Sequence, residues 1–258
     1  MRRLAAALAL TLFTAGPAAA ADRCTSIADG LRDCPPLPAV SVGPNLHVEV
    51  KARKRVLEFA GTDEDEFPCP ENKCRCEEHV EHFDFKGPVP GFRAVNEAEF
   101  RAANATRCSI ENATVMRTAE RFAVTKRTVS TAVYQSEYCR GCGGSCHGQM
   151  RLSAYDAKTG TVLTLADAVE PSRIEALTAR LVDAFVDANA GTRDRVTLRK
   201  MIMEDLDRRK LAKDGLYVEG ANVFINLDTF ALSCADGSFH PVAIPRDFLK
   251  PAFRARLN

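Results

Sequence analysis

Tryptophan is absent from the 258 residues, tyrosine occurs four times, and aromatic residues make up 7% of the chain. Sugar sites commonly present exposed rings that stack on the saccharide, and no such platform is evident, which favours a protein ligand over a glycan. An excess of one charge is missing too, with 35 Lys and Arg facing 34 Asp and Glu. That balance excludes a long-range pull toward nucleic acid or an anionic membrane. No internal repeat is present, and no run beyond the leader reaches the roughly 20 apolar residues that cross a bilayer.

What is present begins with that leader. "MRRLAAALALTLFTAGPAAAAD" holds Arg2 and Arg3, a mostly apolar stretch from Leu4 to Phe13, a Gly16-Pro17 breaker, and small residues before Asp22. This is the layout of a secretory signal peptide over residues 1–21, its apolar core too short to span a membrane. Asp22 and Arg23 precede Cys24, so a lipid anchor there is not expected. Cleavage takes Lys and Arg from 35 to 33 against the same 34 acids. The expected location is periplasmic or secreted, with no membrane span in the mature protein.

Ten cysteines follow the leader: Cys24, Cys34, Cys69, Cys74, Cys76, Cys108, Cys139, Cys142, Cys146 and Cys234. An even count in an oxidising compartment predicts disulfides. Each stabilises a fold by about 2–4 kcal/mol. Spacing alone leaves their pairing open.

Composition shifts divide the mature chain. Residues 22–45 read as a Cys- and Pro-rich linker, 46–145 as an N-terminal α+β subdomain, and 146–258 as a C-terminal one. The N-terminal part carries an irregular, acidic, cysteine-rich insert over 61–81. "LHVEVKARKRVLEF" alternates Val48, Val50 and Ala52 with charged residues, the period of a half-buried strand. Asn96 stands three residues before Glu99, a capping-box spacing that predicts a short helix. "ATVMRTAERFAV" and "RTVSTAVYQSEYC" have strand composition. "QMRLSAYDAKTGTVLTLADAV" predicts two strands joined over Asp156 to Gly160. Ser172 with Glu175 predicts a second capping box, followed by a helix that Gly191 closes. A helix is expected from Arg195 to Leu211, then strands broken at Gly220 and Asp236-Gly237, then a short closing helix. The fold class expected is α+β, mostly antiparallel sheets with a few helices, in two small subdomains stapled by disulfides.

The stretch "YCRGCGGSCHGQM" decides between an enzyme and a binding module. Thioether attachment of haem needs C-x-x-C-H, and His147 follows a C-x-x-x-C instead. A redox Cys139-x-x-Cys142 would want a helix N-terminus to lower its thiol pKa, but strand-like segments flank it. A zinc site needs about four ligands. Cys69, Cys74, Cys76, His79 and His82 supply the right types, and on a helix Cys76, His79 and His82 would share a side. Oxidation in this compartment consumes those thiols, however. A structural loop is the simplest reading: Gly141, Gly143, Gly144 and Gly148 allow a tight turn, His147 holds it through ring hydrogen bonds, and the cysteines pin it. No serine or glutamate stands in a nucleophile or metal-ligand pattern near His147, Asp156, Asp167 or His240. Asn104 and Asn112 begin N-x-T triplets to which no role is assigned. No catalytic residue, metal or cofactor is expected.

The order "STAVYQSEY", a Gly-Gly-x-His-Gly-like turn, then Asp156, Thr159-Gly160, Leu163, Leu165 and Asp167 resembles the extracytoplasmic RsiV/PdaC-like family. The Asp236-Gly237 turn followed by "VAIPRDFL" resembles its closing strands and helix. Members include the outer part of a lysozyme-responsive anti-sigma factor and an accessory region of a peptidoglycan deacetylase. The glycine turn is one residue longer than the family's, and the Cys69–Cys76 segment has no counterpart. No cytoplasmic segment, membrane helix or deacetylase domain accompanies the resemblance here. It implies a fold of two α/β subdomains and a binding role toward a lysozyme-like protein or peptidoglycan. The alternative is an exported thiol–disulfide oxidoreductase or metal-binding protein using Cys139, Cys142 and Cys146 or the Cys69–His82 cluster.

Overall fold

A computed structural model describes residues 25–28, 31–33, 37–42, 45–60, 73–109, 112–139, 146–188, 194–209, 215–226 and 241–257. Strands Thr25–Ala28 (β1) and Leu31–Asp33 (β2) pair antiparallel, with Thr25 opposite Asp33. Cys24 and Cys34 flank this pair and lie outside the described residues, as do Cys69, Cys142 and Cys234.

Val40–Val42 (β3) and Leu46–Ala60 (β4) open a seven-stranded sheet. Lys73–Lys86 (β5) pairs with β4 from Lys86 opposite His47 to Lys73 opposite Ala60. Residues 73–81, expected to be irregular, are therefore strand. The physical reason is a period-two alternation in which Cys74, Cys76, Glu78 and Val80 are all buried. The sheet continues through Asn112–Val124 (β6), Thr128–Cys139 (β7), Cys146–Asp156 (β8) and Val162–Leu163 (β9). Its strands run across the 145/146 division.

Pairing is antiparallel except between β5 and β6, which run parallel from Glu77 opposite Thr114 to Val80 opposite Arg117. A parallel step needs a crossover, and helix Pro90–Ala105 (α1) provides it. Pro90 at the first helical position costs no hydrogen bond there. The helix begins six residues before Asn96, so Asn96 is not its cap. Phe92 stacks on Phe85 at 4.8 Å, and Tyr155 meets both rings edge-on. With Leu46, Val48, Phe83, Val95, Ala119, Val129 and Val133 these form the core beneath α1.

The short helix Leu165–Ala168 (α2) follows β9, so the second strand of the expected hairpin is only two residues long. A 3-10 turn, Pro171–Arg173, leads into Ile174–Ala188 (α3), which places Ser172 inside that turn. Arg195–Arg209 (α4) is the next helix. Leu216–Glu219 (β10), Asn222–Asn226 (β11) and Pro241–Ala243 (β12) make an antiparallel three-stranded sheet, before a closing helix Pro251–Arg254. Leu177, Leu181, Phe185, Leu198 and Ile202 bury against Leu216, Val218, Val223, Ile225 and Phe253 in one large core.

The small sheet lies directly on the large one. The Val218 N–H donates to Ser130 Oγ at 2.9 Å and Asn226 Nδ2 to the Met150 carbonyl at 3.0 Å. A Cβ on Gly215 would sit 1.8 Å from the Leu152 carbonyl oxygen, so only glycine permits that approach. The protein is an α+β fold with mostly antiparallel sheets. Among the described residues no helix is long and apolar enough to cross a membrane.

Candidate functional site

The glycine–cysteine stretch is the connection of an antiparallel hairpin. Cys139 ends β7, and Cys146, His147 and Gly148 already belong to β8, opposite Tyr138, Glu137 and Ser136. Cys142, Gly143 and Gly144 lie outside the described residues. Among the described residues, the segments that flank the loop are strands, and neither is a helix N-terminus of the kind that activates a thiol.

The cysteine–histidine cluster is divided by β5. Alternation sends Cys76 and His82 to one face and His79 to the other, because the segment is strand rather than the helix its three-residue spacing suggests. Cys76 is bonded to Cys108 across 32 positions, with Cα atoms 5.9 Å apart, and Cys74 is disulfide-bonded as well. His79 lies 3.5 Å from the Glu77 carboxylate. Half-buried His82 meets the Phe100 ring edge-on at 6.1 Å. Burial, and then the nearby Arg117 cation, hold its pKa below the ordinary 6.5. Among the described residues no group of three His, Cys, Asp or Glu side chains is arranged to hold a metal.

Asp156 and Asp167 carry structural duties. Asp156 Oδ1 accepts from the Lys158 and Thr159 amides, and its Oδ2 accepts from Arg256 at 2.7 Å. Burial alone would raise this carboxyl, but those two amides and Arg256 outweigh it and hold its pKa below the usual carboxylate range. Gly160, at φ +72°, closes the turn. Asp167 forms a reciprocal capping box with Thr164 at the start of α2. The aspartates and glycine of the family-like motif thus build a turn and a cap, while His240 lies outside the described residues.

A cleft of about 290 Å³ opens beside the Cys76–Cys108 bridge, lined by Arg53, Arg55, Leu57, Phe59, Glu78, Asn104, Arg107 and Cys108. Three segments meet there. On β4, alternation puts Arg53, Arg55, Leu57 and Phe59 on one face. Glu78 stands opposite Arg55 on β5, and the disulfide ties the chain after α1 down onto β5.

The C-terminus of α1 organises the cleft. A helix end leaves carbonyls without intrahelical partners and carries partial negative charge, and α1 has no basic residue in its last turn. Arg53 supplies the cation from β4, donating Nη2 to the Ala103 and Thr106 carbonyls at 3.2 Å each and Nη1 to Asn104 Oδ1 at 3.1 Å. Arg107 Nε donates to the Asn104 carbonyl at 2.5 Å. Glu78 is 2% exposed. Its Oε1 accepts from the Cys108 N–H at 3.0 Å, and its Oε2 lies 3.5 Å from Arg53 Nη2. Among the described residues, the Arg55 guanidinium and the terminal nitrogens of Arg107 have no protein partner. Both side chains are exposed.

Of these cleft residues only Cys108 and Asn104 are singled out in the sequence, and neither for a cleft. The available signal is the placement of Arg53, Arg55, Leu57 and Phe59 at alternate positions of one strand. Asn104, the start of an N-x-T triplet, is occupied by Arg53.

No protein family and no curated protein matches the sequence. Solved structures to which this chain is similar include the following two. One is a DUF3298 family member from Bacteroides fragilis, 12% identical, with 81% of this chain and 97% of that chain covered and a TM-score of 0.48. The other is a DUF3298 family protein from Pseudomonas aeruginosa, 14% identical, with 80% and 96% covered and a TM-score of 0.46.

Proposed function

We propose that the protein is an exported, non-enzymatic binding module of the cell envelope, with a lysozyme-like protein or peptidoglycan as its ligand. The observation that carries this reading is the cleft beside Cys76–Cys108, where three arginines and a buried glutamate stand next to a small apolar wall. An arginine does not give up its proton at physiological pH, and the arginines outnumber the one carboxylate, Glu78, three to one. Guanidinium groups of this kind hold an anionic ligand rather than transfer protons. The signal-like leader, the cysteine content and the motifs resembling the RsiV/PdaC-like family support the same role. Binding in place depends on Arg53, Asn104 and the disulfide keeping the walls rigid.

The test is retention. The oxidised full chain, immobilised, is exposed in turn to a lysozyme and to solubilised peptidoglycan. The proposal expects one of the two to be retained and released by excess free protein. Retention of neither, or steady turnover of a model disulfide that Cys139→Ser abolishes without unfolding the chain, contradicts it.

A further inference from the structure

We infer that the cleft beside Cys76–Cys108 takes the terminal carboxylate of a peptide whose last side chain is small and apolar. The inference rests on the binding-module reading and names the chemical group that module would recognise.

The first argument is charge. Three arginines and one glutamate line the cleft. Arg53 donates to the end of α1 and lies 3.5 Å from Glu78 Oε2, so one positive and one negative charge offset each other, and Glu78 Oε1 accepts from the Cys108 amide. The surplus positive charge therefore sits on Arg55 and Arg107, whose side chains are exposed. Guanidinium groups donate in a planar fork that matches a carboxylate. Buried Glu78 opposes a second negative charge at the same place, which favours a monoanion over a phosphate dianion.

The second argument is shape. Leu57 and Phe59 continue along β4 from Arg55, at steps of two residues, so apolar surface begins where the cations end. A ligand that fills both parts has an acid at one end and a small hydrophobic group next to it. The volume, about 290 Å³, is near the lower bound of the ~300–1,000 Å³ usual for small-ligand sites. That suits a chain terminus and not the flank of a globular surface.

The third argument is rigidity. The Cys76–Cys108 bond and the Arg53 contacts fix the backbone on either side of Arg107 before any ligand arrives. Preorganisation of this kind reduces the ordering cost of binding. Such termini occur on peptidoglycan stem peptides and on proteins, and the two differ in the handedness of the last residues.

The experiment titrates the oxidised full chain with N-acetyl-D-alanyl-D-alanine, with N-acetyl-L-alanyl-L-alanine and with the amide of each, read by calorimetry. The inference expects saturable binding of at least one acid, about tenfold or more weaker for its amide and for Arg55→Gln with Arg107→Gln. Arg55→Lys should restore part of the loss, and higher salt should weaken the acid alone. Preference for the D,D form points to peptidoglycan, and for the L,L form to a protein terminus. Thermal melting checks that each variant folds, which exposed positions allow. Equal binding of acid and amide, unchanged affinity in the double variant, no binding of either acid, or equally tight binding of inorganic phosphate would overturn it. Because the titration uses no envelope partner, it can fail while a lysozyme or peptidoglycan is still retained, and it can succeed when neither is.

Discussion

The Asn96 carboxamide pairs with both backbone polar groups of Phe85, accepting from its N–H and donating to its carbonyl at 2.8 Å each. It does for β5 what a neighbouring strand would do. The parallel pairing with β6 covers only Glu77 to Val80, and beyond it α1 lies against β5. Asn96→Ala leaves two part-buried backbone groups without their partner and is expected to destabilise the protein by about 1–3 kcal/mol in chemical denaturation. Asn96→Asp keeps the acceptor but sets a carboxylate against the Phe85 carbonyl, so it should rescue little.

Arg117 and Glu99 form a buried ion pair at 2.8 Å, with Arg117 1% exposed. Arg117 also donates to the Glu81 carbonyl at 2.5 Å. Glu99→Leu strands a buried cation and should cost about 3–5 kcal/mol, whereas adding Arg117→Met removes that charge and should recover part of the loss. A double variant no more stable than Glu99→Leu would show that the pair's charge is not the main cost.

These two contacts also explain what the sequence conceals. Asn96 and Glu99 have the spacing of a helix start, yet both side chains are committed to tertiary partners in the middle of α1. Local hydrogen bonding and long-range pairing use the same residue types, so spacing alone cannot separate them. Strand β4 is legible because one face of its first half is packed and the period of two survives in Val48 and Val50. By contrast β6 and β7, buried on both faces from Val115 to Glu120 and from Thr128 to Tyr134, are legible from their Val, Thr and aromatic content. Cys76, His79 and His82 mislead for the opposite reason, since a three-residue spacing mimics a helical face on what is a strand. The cleft is hidden because Arg53 and Arg55 look like the solvated side of β4. The partners of Arg53, at Ala103 and Asn104, come some 50 positions later in the chain.

The turn over Asp156 to Gly160 docks on the start of α1. A Cβ on Gly91 would lie 1.9 Å from the Thr159 carbonyl oxygen, and one on Gly160 would lie 2.5 Å from the Phe92 nitrogen. Gly91→Ala should therefore destabilise by about 2–4 kcal/mol through backbone clash. Gly160→Ala adds the cost of a left-handed conformation to a similar clash and should be at least as damaging. Thermal melting of each variant against Gly220→Ala, where the added Cβ meets nothing within 4 Å, separates the clash from the conformational cost.

His82 makes stability depend on pH. Its folded pKa lies below the ordinary 6.5, so the unfolded chain takes up the proton first as pH falls. The stabilisation is complete above 6.5 and is lost as pH drops through the folded value. Wild type should lose more denaturation free energy than His82→Gln between neutral pH and pH below 6.5. Parallel curves for the two proteins would show that His82 is not responsible.

The Cys76–Cys108 bond closes a long loop and anchors the segment that carries Arg107. Replacing both with alanine should cost about 2–4 kcal/mol. Acid-peptide affinity should fall further than in a variant of equal stability altered away from the cleft, such as Gly220→Ala combined with another surface change.

The central claim is that the cysteines of this chain brace a binding surface and take no part in chemistry. Peptide mapping without reduction, after free thiols are trapped in protein taken from its native compartment, tests it most directly. The account predicts a Cys76–Cys108 peptide and no trapped thiol on Cys139, Cys142 or Cys146, with all three resisting mild reductant. Two free or mixed-disulfide cysteines among those three would contradict it and make the β7–β8 connection a reactive site.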